Sequence, residues 1–207
     1  MKTLLFDIDH TLLNTTSMVQ NLINMVVQET NLSLDDVENY HSQYVAKLPQ
    51  VTRYDFIEFV STLPVSVKAR EKIKSRYLND SDIYTKYPDV DKILGALHKK
   101  GYRIGVFSEG TPRFQENKLK NLQISSFLDT NLIFISQSKR SQEYIGSLPA
   151  AIIIDDNIDI CNILAIHKKH RTIHLNIKDK KFTTEKDNEI HNSITSVNSL
   201  KELLHIL

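Results

Sequence analysis

The sequence has little cysteine and glycine, with one and five of them in 207 residues, and it has no tryptophan. A single cysteine, Cys161, cannot build a disulfide framework, so a reducing cytosol is the expected setting. The apolar run at residues 4–6, before the first acidic residue, is too short for the hydrophobic region of a signal peptide. No apolar run approaches membrane-spanning length, so we expect a cytoplasmic chain without a membrane partner.

The sequence also lacks an excess of either charge. Its 26 Lys and Arg residues balance 25 Asp and Glu residues, which leaves a net charge of +1. A nucleic-acid partner is therefore not expected, because bulk binding to phosphate backbones needs a basic face. Apolar residues make up 41% of the chain, which is enough for a real core. The length fits one domain, or one domain with a moderate insertion.

Two acidic residues follow the first apolar run of the chain. Residues 4–6 predict a buried strand, and Asp7 and Asp9 come directly after it. Ligands bind at the carboxyl ends of strands in α/β sheets. Residues two apart on an extended strand point the same way, so the two carboxylates repel each other unless a cation lies near them. A calcium loop would need glycine at its sixth position, where this chain has Leu12.

The pattern Asp7-x-Asp9-x-Thr11-Leu12 resembles the first motif of the haloacid-dehalogenase-like hydrolases. The resemblance implies that Asp7 is a nucleophile that becomes an aspartyl-phosphate. It also implies that Asp9 gives a proton to the leaving group and then activates water. One short pattern also fits a solvated turn, so the interpretation depends on the family's other motifs following in order at later strand ends.

Helical spacing dominates the chain between about residues 12 and 84. Four apolar stripes predict four helices there: Met18, Leu22, Met25 and Val26; Val37, Tyr40, Tyr44 and Val45; Phe56, Ile57 and Val60; Ile73, Tyr77 and Leu78. The family that the chain resembles carries a helical cap at this place. We therefore predict an α/β catalytic core formed by residues 1–14 and 85–207, with a helical cap formed by residues 15–84.

Strands and helices alternate in the rest of the chain. Apolar runs predict strands at about 102–107, 132–135, 150–154 and 172–175. Helical patterns lie between and after them, at about 90–100, 112–122, 141–147, 157–169 and 199–207. This alternation predicts a doubly wound parallel sheet, which is the Rossmann-like core of the family that the chain resembles.

Polar side chains lie at or just beyond the ends of four predicted strands. Because the carboxyl ends of parallel strands meet at one edge, these side chains should converge. They are Asp7 and Asp9 after the first strand, Ser108 after the second, Lys139 after the third, and Asp155, Asp156 and Asp159 after the fourth. Phosphoryl transfer needs a nucleophile, a cation and donors around the phosphate oxygens, and these residue types supply all three.

The phosphate-binding part of the site is expected at the second and third strand ends. The Ser108 hydroxyl and the backbone N–H groups of Glu109 and Gly110 can hold phosphate oxygens. Lys139 can offset the charge of the phosphate and of Asp7. Residues 106–110 resemble the family's second motif, and residues 111–119 resemble its phosphoglycolate-phosphatase-like branch.

A Mg²⁺ site is expected at the first and fourth strand ends. Asp155 can complete an oxygen shell with Asp7 and the backbone carbonyl of Asp9. Residues 153–160 resemble the family's fourth motif. The family often has a second Asp four residues on, which fits Asp159, and it also uses adjacent pairs, which makes Asp156 a competing ligand.

The sequence departs from the family pattern at two places. Glu109 stands where the branch often has a neutral residue, and a carboxylate beside phosphate weakens binding unless it points away. The third motif usually has Lys-Pro, whereas this chain has Lys139-Arg140, so either residue could be the phosphate ligand. Lys139 is favoured because lysine is the usual point charge for phosphate.

These motifs predict a Mg²⁺-dependent phosphomonoester hydrolase that acts on a small phosphorylated metabolite. Asp9 favours phosphate over halide chemistry, because the family's dehalogenases lack this residue and an alkoxide leaving group needs a proton. Two alternatives stay open. A phosphomutase would reuse the phospho-aspartate. A non-catalytic phosphate-binding or scaffold protein would account for Glu109 and the unusual third motif.

Overall fold

The structure is a computed structural model that describes residues 2–49, 53–177 and 189–207. Parts of the predicted cap (residues 50–52) and of the predicted core (residue 1 and residues 178–188) lie outside the described residues. A single parallel sheet forms the centre of the fold, in the order β3-β2-β1-β4-β5-β6. Its strands are β1 (Thr3–Phe6), β2 (Arg103–Glu109), β3 (Leu128–Ser136), β4 (Ile152–Asp155), β5 (Arg171–Leu175) and β6 (Thr195–Val197).

Strand β1 lies in the middle of the sheet, with β2 on one side and β4 on the other. Phe6 pairs with Val106 of β2 and with Ile154 of β4. The four residues of β1 are all buried, which is the pattern of a parallel strand covered on both faces. The predicted doubly wound sheet is confirmed, and the ends of β1, β2 and β4 lie side by side.

The four helices predicted between the first two strands are confirmed. They are α1 (Thr15–Glu29), α2 (Leu34–Lys47), α3 (Phe56–Thr62) and α4 (Val67–Asn79). Each begins after a residue whose side-chain oxygen accepts a backbone N–H bond from the first turn, and these residues are Asn14, Ser33, Asp55 and Ser66. Such caps satisfy donors that a helix start leaves unpaired.

The chain leaves the sheet for these helices and returns to it at adjacent positions. The Asn14 N–H donates to the Thr85 carbonyl at 2.8 Å, and the Tyr87 N–H donates to the Leu12 carbonyl at 3.0 Å. An inserted unit has this geometry, because both connections pass through one point of the core. The division into a core and a cap at residues 15–84 agrees with these contacts and stays a prediction.

Helix α6 (Pro112–Leu122) of the sheet domain contacts this helical unit and the segment that follows it. The Phe114 ring stacks against Tyr77 at 6.3 Å and meets the edge of Tyr54 at 5.3 Å between ring centroids. The Asn117 amide donates to the Tyr84 hydroxyl at 2.5 Å. Buried aromatic pairs and satisfied buried hydrogen bonds give this contact a defined geometry.

The remaining α-helices of the described residues are α5 (Val90–Lys99), α7 (Gln142–Ser147), α8 (Ile158–Ala165) and α9 (Leu203–Ile206). Helix α8 ends four residues before its predicted end, because the His167 and His170 N–H groups form tight turns onto the Leu164 and His167 carbonyls. The three-residue strand β6 was not predicted. Within the described ranges, no helix combines the length and apolar character needed to cross a bilayer.

Gly105 marks an irregularity between β2 and β3. The register of the two strands shifts between Ile104 and Val106, and a Cβ atom at Gly105 would lie 2.2 Å from the Leu132 carbonyl oxygen. Gly105→Ala is therefore expected to lower the free energy of unfolding by about 1–3 kcal/mol, measured by urea denaturation.

The matched control for that change is Gly146→Ala. Gly146 lies in α7, and a Cβ atom there would have no neighbour within 4 Å. Alanine should be neutral or stabilising by about 0.5–1 kcal/mol, because it restricts the unfolded chain. Equal stability of the two variants would show that β3 moves away from β2 at no cost.

Candidate active site

Asp7 lies at the carboxyl end of the central strand β1. Its backbone N–H donates to the Ile154 carbonyl at 2.9 Å, so the neighbouring strand β4 fixes its position. The side chain is buried, and its Oδ1 atom accepts a bond from Lys139 Nζ at 2.5 Å. The same ammonium group donates to Asp155 Oδ2 at 2.6 Å. One buried cation therefore bridges the ends of β1 and β4.

Three buried carboxylates surround this point. Asp7, Asp155 and Asp156 each offer an oxygen within 4.8 Å of the other two. The second Asp155 oxygen accepts the Asn157 N–H at 2.9 Å, which fixes that carboxylate. One lysine ammonium group faces these three carboxyl groups, and a cluster of oxygens is the donor set that Mg²⁺ prefers. The residues present fit a divalent cation at the predicted place.

Burial and the neighbouring charges shift the pKa values of Asp7 and Lys139. Burial raises the pKa of Asp7, and Asp155 and Asp156 act in the same direction, whereas Lys139 opposes them. Burial would lower the pKa of Lys139, but Asp155 and Asp7 outweigh it, so that pKa is raised. The ammonium group therefore stays charged at neutral pH and holds the two strand ends together.

Ser108 lies at the end of β2, next to β1. It is fully buried, and its Oγ atom has no hydrogen-bond partner among the residues that the structure describes. A buried hydroxyl without a partner costs free energy, so it marks a position where a ligand oxygen would be stabilised. The Gly110 N–H, which was also predicted to hold phosphate, donates here to the Ser136 carbonyl at 2.9 Å.

Glu109 contacts the loop after β3. Its Oε2 atom accepts the Lys139 backbone N–H at 2.7 Å, so this carboxylate positions the lysine. Arg140 points elsewhere, with its guanidinium 3.7 Å from Asp159 and about half of its side chain exposed. The structure thus places Lys139, and not Arg140, beside Asp7.

The structure brings together most of the side chains that the sequence singled out. Asp156 joins the carboxylate cluster, while Asp159 lies at the surface with 44% of its side chain exposed and contacts Arg140. Asp9 lies two residues beyond Asp7, and side chains of α1 and α6 bind its carboxylate. Its carboxylate accepts two bonds from Lys118 Nζ, at 2.7 and 2.8 Å.

Two further side chains bind Asp9. The Thr15 hydroxyl donates to its Oδ1 at 2.7 Å, and the Gln115 amide donates to its Oδ2 at 3.0 Å. Burial alone would raise the pKa of Asp9, but the charge of Lys118 and these hydrogen bonds outweigh burial, so that pKa is lowered. These four hydrogen bonds hold the carboxylate in one orientation.

Sequence reasoning missed Lys118 and Gln115. The available signal was the position of Lys118 midway between Phe114 and Leu122, four residues from each on one helix face. A charged residue in the middle of an apolar stripe is buried only when it has a partner, and here the partner is Asp9.

The comparisons with known proteins fit this geometry. The family description "haloacid dehalogenase-like hydrolase" matches residues 4–144, which is more than half of the chain. The chain belongs to the haloacid dehalogenase-like hydrolases. Of the predicted site, the match spans Asp7, Asp9, Lys139 and residues 108–110, whereas Asp155, Asp156 and Asp159 lie beyond it.

Two curated relatives of this haloacid dehalogenase-like chain are phosphatases by name. The phosphoglycolate phosphatase of Aquifex aeolicus (strain VF5) is 26% identical over 62% of this chain and 59% of the relative. The glyceraldehyde 3-phosphate phosphatase of Pyrococcus abyssi (strain GE5 / Orsay) is 24% identical over 64% of this chain and 59% of the relative. The chain thus spans less than two thirds of the length of each relative.

A solved structure supports the fold of this haloacid dehalogenase-like chain. A protein from Burkholderia xenovorans LB400, described as a haloacid dehalogenase-like hydrolase, superposes with a TM-score of 0.71 at 14% identity. The superposition covers 99% of this chain and 95% of that protein. At such low identity the likeness concerns the fold alone.

Proposed function

We propose that this chain is a Mg²⁺-dependent phosphomonoester hydrolase that acts on a small phosphorylated metabolite through an aspartyl-phosphate. One observation carries the proposal. The buried Asp7 lies among the Asp155 and Asp156 carboxylates, and a buried lysine contacts it. The unpartnered Ser108 hydroxyl at the adjacent strand end supports it further. The two phosphatase relatives support the same class of reaction.

In the first step, an Asp7 oxygen attacks phosphorus. The new Asp7–phosphorus bond forms as the bond from phosphorus to the leaving oxygen breaks, and Asp9 gives that oxygen a proton. Lys139 and Ser108 bind phosphate oxygens and stabilise the charge that spreads over them. The Asp7, Asp155 and Asp156 carboxylates and the Asp9 carbonyl, with Asp159 as a further candidate, would hold Mg²⁺, and the chemistry that the metal would supply is neutralisation of phosphate charge.

In the second step, water hydrolyses the aspartyl-phosphate. Asp9 takes a proton from the water molecule, whose oxygen bonds to phosphorus as the bond to Asp7 breaks. This step returns Asp7 as a carboxylate and restores the proton to Asp9. The helices at residues 15–84 would cover the substrate, exclude bulk water and supply selectivity. The cytosolic location expected from the single cysteine stays a prediction.

The experiment that tests the proposal is a hydrolysis screen over small phosphomonoesters. The panel includes 2-phosphoglycolate, glyceraldehyde 3-phosphate, sugar phosphates, nucleoside monophosphates and p-nitrophenyl phosphate, each with Mg²⁺ and with a chelator. Phosphate release that the chelator abolishes is the expected result. Turnover that requires a bisphosphate activator would instead identify a mutase. Binding of Mg²⁺ and a phosphate analogue without any turnover would identify a binding protein.

A further inference from the structure

Helix α6 places a buried lysine against Asp9 from outside the predicted motifs. Lys118 has 3% of its side chain exposed, and its ammonium group binds both oxygens of the Asp9 carboxylate. The same ammonium lies 4.2 Å from the centre of the Phe114 ring. Lysine is almost never buried without a partner, so this geometry commits Lys118 to one carboxylate.

Gln115 connects the same carboxylate to the turn after β2. Its amide nitrogen donates to Asp9 Oδ2 at 3.0 Å and to the Glu109 carbonyl at 2.7 Å. Gly110 makes room for it, since a Cβ atom there would lie 2.6 Å from that nitrogen, and the residue has a φ of 147°, which favours glycine. The turn that leads from Ser108 into α6 is therefore shaped around a contact to Asp9.

Together with Thr15, these residues leave the Asp9 carboxylate little rotational freedom. Both oxygens accept two bonds each, and the donors come from two different helices, α1 and α6. Proton transfer requires the carboxylate to lie within hydrogen-bond reach of the reacting oxygen. A carboxylate held from two sides has less rotational freedom to lose when it reaches that geometry.

We propose that Lys118 and Gln115 are positioning residues that fix Asp9 for proton transfer. The proposal rests on the function proposed above. An alkoxide leaves phosphorus only as it takes a proton from Asp9, whereas p-nitrophenolate leaves as a stable anion. Loss of the positioning contacts should therefore affect alkyl phosphates more than p-nitrophenyl phosphate.

The test compares kcat/KM, which reports the first phosphoryl transfer, for two substrates. They are p-nitrophenyl phosphate and whichever alkyl phosphate of the screen the wild type hydrolyses fastest. Lys118→Met should lower kcat/KM about 10²-fold for the alkyl phosphate and less than about 3-fold for p-nitrophenyl phosphate. Gln115→Met should act in the same direction with a smaller effect. Lys118→Arg should keep most of the wild-type kcat/KM for the alkyl phosphate, because it retains a positively charged donor.

The matched control is Lys120→Met, which removes an exposed lysine from the same helix and should leave both rates unchanged. In an Asp9→Asn background, Lys118→Met should cause no further loss, because its effect passes through Asp9. Thermal unfolding of each variant checks folding, and Gln115→Met keeps the test decisive if Lys118→Met does not fold.

Three outcomes would overturn the inference. An equal loss on both substrates would assign Lys118 a structural role only. Unchanged rates in Lys118→Met, with an active wild type, would remove its role while the proposed hydrolase function stands. A wild type that hydrolyses neither substrate with Mg²⁺ would refute the proposed function and this inference with it.

Discussion

Replacing Asp7 by asparagine is expected to lower kcat by more than about 10³-fold, because an amide cannot attack phosphorus as a carboxylate does. The change keeps the size of the side chain. Lys139 also keeps its bond to Asp155, so the fold should survive the substitution. The measurement is steady-state hydrolysis of the best substrate of the screen with saturating Mg²⁺, alongside circular dichroism and thermal unfolding.

The control for that experiment is Asp129→Asn. Asp129 lies on β3 and pairs with Arg103 at the surface, 2.8 Å from its guanidinium and far along the strand from the site edge. This variant should keep wild-type activity. Equal kcat values for wild type and a folded Asp7→Asn variant would refute the assignment of Asp7 as the nucleophile.

Lys139→Met is expected to have the second largest effect. It removes the buried cation between Asp7 and Asp155 and leaves three carboxylates close together. Breaking a buried ion pair from one side costs about 3–5 kcal/mol of stability. The kcat value should also fall about 10²-fold, since the phosphate loses a charged donor. The measurements are chemical denaturation without metal and hydrolysis with Mg²⁺.

Arg140→Met is the matched control, because it removes the neighbouring cation that the sequence could not distinguish from Lys139. Its side chain is about half exposed and contacts Asp159 at 3.7 Å, so stability should change by less than about 1 kcal/mol. Mg²⁺ should restore part of the stability lost in Lys139→Met by supplying positive charge to the same carboxylates. A larger effect of Arg140→Met than of Lys139→Met would reverse the assignment.

The sheet could be predicted from the sequence because its strands are short apolar runs that end in polar residues. Strand β6 could not, since its three residues, Thr195–Val197, carry too few side chains to show a period. Helix α8 was predicted too long because the basic residues 167–169 are typical of a helix C-terminus, while the backbone forms turns there. The closing helix was also predicted too long, since α9 begins only at Leu203. Strand β6 depends on its pairing with β5, which the local pattern does not reveal.

The site could be predicted where parallel topology alone gathers the residues, as for Asp7, Ser108, Lys139 and Asp155. The choice between Asp156 and Asp159 depends on which way each side chain leaves the start of α8, which spacing does not reveal. The role of Glu109 was equally hidden, because its partner is a backbone N–H in another loop. The contact of Lys118 with Asp9 could not be predicted from the sequence, because it depends on how α6 packs against the end of β1.

The central position of β1 has a consequence for the synthesis of the chain. Thr3 pairs with Arg103, and Leu4 pairs with Ile152, so both neighbours of the first strand are translated long after it. At about 5–20 residues per second, β1 waits on the order of 5–20 s for its first partner and longer for its second. During that time an apolar strand has two open edges, which makes the nascent chain a substrate for chaperones and a site of early aggregation.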